Sequence, residues 1–229
     1  SLATYFLLRE FGLKIYYCFL YSLLFSLLGY TSSGTPFVDH HSTFFCLLAV
    51  YSLLFVIKNE KNIFWILIPI FLGCAFLSKQ VPAFYIFIIL SIIIIIYLFT
   101  LKKIGPLKSI LLGIILFIFF MILLILFGGI KFESFINQYI LYPQSIGNDR
   151  FNNFKPTFHG TVSHFKFIYI SIAPFFFINL KLIISKKKLF KKKDFFYFIT
   201  ILLFTLSLIF HQFFTKNQTY IFFLIPLLV

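Results

Sequence analysis

Residues 109–129 read SILLGIILFIFFMILLILFGG, an unbroken apolar run with no charged side chain. A helix needs roughly 20 mostly apolar residues to cross the hydrocarbon core of a bilayer, and this run supplies them unaided. It shows no strand-like alternation, and a backbone in hydrocarbon must satisfy its hydrogen bonds within its own segment, as a helix does. Working outward, similar runs occupy 83–101, 63–79, 41–57 and 13–30 on one side, and 167–185 and 195–214 on the other. Partial runs lie at 1–8 and 220–229. The expected fold is all-α, a polytopic transmembrane helix bundle of about seven full spans plus partial spans at both ends. It forms a single transmembrane domain over 1–229.

Composition agrees with that reading. Hydrophobic residues make up 61% of the chain and charged residues 11%, with a mean hydropathy of +1.03, which excludes an ordinary soluble domain. The 38 Phe residues and the run Ile92 to Ile96 serve as lipid-facing filler and need no functional explanation. A net charge of +14 would suit nucleic acid only on a basic face of a folded domain. Here the lysines sit between apolar spans, so nucleic acid is not an expected partner. Cys18, Cys46 and Cys74 each lie inside an apolar run without CxxC spacing, which indicates neither a disulfide framework nor a zinc site. Ser1 opens directly into Leu2 to Leu8, and Val229 falls within another run, so both ends read as cut.

Orientation follows from the basic residues. The connections 9–14, 58–62, 102–108 and 181–193 together hold 14 Lys and Arg, against 6 in the alternate set of 30–40, Lys79, 130–166 and 215–219. The positive-inside rule therefore expects the first set in the cytoplasm. Lys186 to Lys188 and Lys191 to Lys193 dominate the asymmetry and read as a topology anchor drawn to anionic headgroups. All five histidines then fall toward the outer face, together with Asp39, Lys79 and the long outer loop 130–166, which carries Glu133, Asp149 and Arg150. A loop of that length between spans is more often functional than a spacer.

Two segments stand out. In Gly34-Thr35-Pro36-Phe37-Val38-Asp39-His40-His41-Ser42 the chain turns and starts a helix. Asp39 is either an N-cap or first-turn acid suited to the helix dipole, or a carboxylate facing a polar cavity where it orients a sugar hydroxyl or holds a cation. In Gly73-Cys74-Ala75-Phe76-Leu77-Ser78-Lys79-Gln80-Val81-Pro82, Lys79 lies between two helices on the lysine-poor side. Its stem either snorkels to the headgroups or its ammonium holds the phosphate of an embedded lipid. His40, His41, His159 and His164 match no metal-ligand spacing, so no metal is assigned. Asn217-Gln218-Thr219 forms a sequon in a very short loop and carries little weight.

The order "GTP..D" opening a helix, then "G.AFLSK..PA", then "TKNQTYIFFLIPLL" resembles the polytopic GT-C-type glycosyltransferases that use dolichyl- or undecaprenyl-phosphate sugars. These include the protein O-mannosyltransferases and the bacterial aminoarabinose transferases. The resemblance implies a polyprenyl-phosphate sugar donor, a glycan, lipid or protein acceptor, and a multi-pass protein of the cell (inner) membrane with an extracytoplasmic active face. It implies that Asp39 is a positioning acid, with the main catalytic acid in a first outer loop upstream of this fragment. Lys79 is similar to the lysine that contacts the carrier phosphate, with Arg150 as a helper, and surrounding membrane lipids are further partners. No cofactor is implied, and a divalent cation is compatible with the chemistry. On this reading the fragment alone is inactive.

Two other classes share such a bundle. A transporter or lipid-linked-glycan flippase would place ionisable residues and broken helices near the bilayer midplane, whereas here the spans are nearly free of charge at mid-depth. An O-antigen-polymerase-like membrane protein or a scaffold would also carry a large outer loop. An acidic outer loop between the first two spans of the complete chain would separate the transferase from both.

Overall fold

The computed structural model describes residues 1–30, 38–102, 104–152, 155–184, 193–215 and 220–229. Among them the chain is helical and contains no strand. In order the helices are α1 (Leu2–Glu10), α2 (Ile15–Tyr30), α3 (Val38–Asn59), α4 (Asn62–Ser78), α5 (Gln80–Leu101), α6 (Gly105–Phe127), α7 (Phe132–Ile136), α8 (Tyr142–Asn152), α9 (Lys166–Ile184), α10 (Lys193–Thr215) and α11 (Ile225–Leu228). Every full apolar run of the sequence is a helix. Five of them, α3, α5, α6, α9 and α10, are long and apolar enough to cross a membrane.

The other two are shorter, α2 with 16 residues and α4 with 17. At 1.5 Å per residue these span roughly 24–26 Å, a little less than the ~30 Å hydrocarbon core. For α4 the cause is local. Lys61 and Lys79 flank it in extended backbone, the latter at φ −161° and ψ 130°, so the helix cannot extend through either. The interval 130–166 is not a plain loop, because α7 continues through a π-helical turn at Asn137–Leu141 into α8, and a second π-helical turn follows at His159–Ser163.

Burial sorts the helices by solvent. Within its spanning window α3 is 72% buried and α6 only 6%, although α6 is by far the more apolar. In water that order would be reversed. In a bilayer the apolar outer helix faces lipid and the central one carries the polar residues. Accordingly α3 packs against α1, α4, α5 and α10, and it holds the buried Asp39, His40, Ser42, Thr43 and Ser52. On α6, Leu111, Ile115, Phe119 and Leu126 all point outward.

Close backbone approach joins α4 to α6. A Cβ on Gly113 would lie 2.3 Å from the Ile66 carbonyl oxygen and 2.6 Å from Pro69 Cγ, so only glycine fits there. Opposite it, Gly73 leaves room for the Phe117 ring, which a Cβ would meet at 2.4 Å. Small residues at helix contacts let lipid-embedded helices gain dispersion energy where the hydrophobic effect offers little. Elsewhere Phe25, Phe44 and Phe223 tie α2, α3 and the 3-10 turn Tyr220–Leu224 together, with Phe223 lying 5.2 Å from each of the other two rings.

Candidate functional site

At one end of the bundle the first turn of α3, the α4–α5 junction and the last turns of α10 converge. Asp39 sits in the first turn of α3, where its charge also complements the positive end of the helix dipole. Lys79 caps α4, its backbone N–H donating to the Ala75 carbonyl. The junction is anchored because the Ser42 hydroxyl donates to the Lys79 carbonyl at 3.0 Å. Lys79 Nζ then reaches Asp39 Oδ1 at 2.5 Å.

His211 of α10 completes the group, its Nε2 lying 3.3 Å from the same Asp39 Oδ1. Its ring packs edge-on to Tyr85 of α5, with centroids 6.4 Å apart. The side chains of Asp39 and His211 are 8% and 1% exposed, while that of Lys79 is 24% exposed. This gradient matters chemically. The carboxylate is enclosed and occupies one donor of the ammonium, and the partly exposed Lys79 has further N–H donors to offer. A carboxylate and an imidazole buried this deeply are tolerated because they are paired.

Unsatisfied polar atoms occur on the two helices that carry Asp39 and His211. Several hydroxyls within the spans donate to the carbonyl four residues back, as do Ser52, Ser78, Ser171 and Thr205. The hydroxyls of Thr43 and Ser207 and both polar atoms of the Gln212 amide are buried without any partner among the described residues. Thr43 lies one turn after Asp39, Ser207 one turn before His211, and Gln212 adjoins His211 in sequence. Asn179 Oδ1 of α9 is buried without a partner as well, and buried polar atoms of this kind are normally satisfied by water or a polar ligand.

The structure therefore unites two residues singled out in the sequence, Asp39 and Lys79. Asp39 is a first-turn acid of α3 and is also paired with Lys79 and His211. Arg150 falls within α8, but its side chain lies outside the described residues, as do Gly34 to Phe37, Lys186 to Lys188, Lys191, Lys192 and the sequon at 217–219. His159 and His164 pack on each other with ring centroids 6.3 Å apart. Among the described residues no three His, Cys, Asp or Glu side chains gather as a metal site requires. Sequence reasoning missed His211 and Ser42 as parts of the site. For His211 a signal existed, since an ionisable residue inside a spanning helix is a site candidate by default. Ser42 carried none.

Helices with lipid-facing apolar surfaces, a polar central helix and an ion pair near one membrane boundary define a multi-pass membrane protein with a site built at one end of its bundle. Residues 1–141 match the dolichyl-phosphate-mannose-protein mannosyltransferase family. The chain belongs to that family, and is thus a membrane glycosyltransferase of the class that uses lipid-linked sugars. Both Asp39 and Lys79 fall within the matched residues. No curated protein and no solved structure matches the chain.

Proposed function

We propose that the protein transfers a sugar from a polyprenyl-phosphate donor to an acceptor hydroxyl on the extracytoplasmic face, with Lys79 binding the donor phosphate. The observation that carries this reading is the ion pair of Lys79 with the enclosed Asp39 at the membrane boundary, on the side poorest in basic residues. In the reaction the bond between the sugar's anomeric carbon and the phosphate oxygen breaks and the acceptor oxygen bonds that carbon. A carboxylate base takes the acceptor proton. Phosphate leaves as an anion, and an ammonium held in a site of low dielectric stabilises the charge developing on it. Asp39 fixes the direction of the Lys79 side chain and His211 fixes Asp39, so neither needs to touch the sugar.

Mannose as the sugar and a protein as the acceptor are supported by the family alone. The test is a donor titration with purified enzyme in defined lipid, comparing wild type with Lys79→Gln. A charge-assisted contact to phosphate contributes about 1.5–3 kcal/mol. Its loss raises the apparent KM for the donor roughly ten- to hundred-fold, at about 1.4 kcal/mol per decade. Superimposable titrations would remove Lys79 from the donor site.

A further inference from the structure

Ser52, Ser78 and Ser171 each donate to the carbonyl four residues before them, within their own helices. Ser42 does not. Its side chain is fully buried, and its hydroxyl donates across to the Lys79 carbonyl at 3.0 Å, 37 residues further along the chain. A hydroxyl has one proton to donate, so the bond given to Lys79 is withheld from the Val38 carbonyl of its own helix. The acceptor lies in irregular backbone. Lys79 leaves helical geometry at φ −161° and ψ 130°, Val81 does so again at φ −117° and ψ 122°, and Pro82 has no N–H to offer.

Asp39 and Ser42 stand three residues apart on α3, which places them on one face of that helix. One holds Lys79 at the tip of its side chain, Oδ1 to Nζ at 2.5 Å, and the other holds the same residue at its backbone carbonyl. A flexible four-carbon stem joins these two points, so fixing both ends restricts where the ammonium can stand. A charge held in place before its ligand arrives loses less freedom on binding. From this two-point hold we infer that Ser42 is a positioning residue: it sets the Lys79 backbone at the height on α3 from which the ammonium meets both Asp39 and the donor phosphate. Its bearing on the reaction rests on the assignment of Lys79 to that phosphate; the hold itself does not.

The experiment is a donor titration with purified full-length enzyme in defined lipid, for wild type, Ser42→Ala, Lys79→Gln and the double variant. Ser42→Ala is expected to raise the donor KM about two- to ten-fold, the weight of one neutral hydrogen bond, with kcat changed far less. Added to Lys79→Gln it raises KM no further, because it acts through the ammonium. Ser42→Cys, close in size but with only a weak S–H donor, falls between wild type and Ser42→Ala, and it carries the test if Ser42→Ala fails to fold. A readout independent of the donor is the coupling between Asp39→Asn and Lys79→Gln in thermal unfolding, which shrinks on the Ser42→Ala or Ser42→Cys background. An unchanged KM in Ser42→Ala beside a raised one in Lys79→Gln, an equal rise in both backgrounds, a Ser42→Cys enzyme like wild type, or an undiminished coupling would each overturn the proposal. A wild-type KM in Lys79→Gln together with a diminished coupling would remove the donor assignment and leave the hold of Ser42 on Lys79 in place.

Discussion

Asp39 and Lys79 are first of all each other's partners, joined in an ion pair of 2.5 Å. Removing one partner of an enclosed ion pair leaves the other charge stranded, which costs several kcal/mol when burial is complete and less here because Lys79 is 24% exposed. Asp39→Asn therefore lowers thermal stability as well as turnover, a broader effect than loss of a cap, since Asn caps helices as well as Asp does. The diagnostic is a double-mutant cycle. Asp39→Asn and Lys79→Gln are expected to be less than additive in the donor KM, with a coupling of about 1–3 kcal/mol. Full additivity would mean that the two side chains work independently. At His211 the change to Ala frees Asp39 on one side only, so donor affinity falls less than with Asp39→Asn, and His211→Gln, which keeps a hydrogen-bond donor, restores part of it.

At the scale of elements, the glycines of α4 and α6 make opposite predictions. The obstacle to a side chain at Gly73 is the Phe117 ring, which can be made smaller, whereas the obstacle at Gly113 is the Ile66 carbonyl, which cannot. Gly73→Ala is expected to cost about 1–3 kcal/mol as overpacking, and Phe117→Leu in the same chain to recover part of it. Gly113→Ala is expected to cost at least as much with no recovery by Phe117→Leu. Thermal unfolding of the four variants in detergent checks this, and an equal rescue at both glycines would contradict the packing described. The helices themselves were legible because uninterrupted apolar runs admit no other structure in lipid. Less legible was which helix sits inside. The most apolar run, 109–129, turned out to be peripheral, because in a bilayer hydropathy reports contact with lipid and not burial in protein. The pairing of Asp39 with Lys79 was also beyond the sequence, since the two are 40 residues apart and meet only through the antiparallel packing of α3 on α4. His211, 172 residues from Asp39, joins them by the same logic.

For the whole molecule, the bundle has two chemically distinct ends. One gathers Asp39, Lys79 and His211; the other gathers Lys58, Lys193, Glu10 and Glu60. Because α3 begins at the first end and finishes at the second, while α10 runs the opposite way, the placement of either end relative to the membrane fixes the other. The charge imbalance of 14 against 6 predicts that the Lys58 end is cytoplasmic. Two measurements read this independently. A reporter fused after Lys193 is expected to register as cytoplasmic. A cysteine introduced by Asn148→Cys, in α8 on the far side of α6 and α9, is expected to react with a membrane-impermeant thiol reagent in intact cells. The native thiols interfere little, since Cys18 and Cys46 are buried and Cys74 is half-buried within α4. Reaction at position 148 only after permeabilisation would invert the molecule. Lys79 would then face the cytoplasm, and an extracytoplasmic transfer reaction at Asp39 and Lys79 would be ruled out.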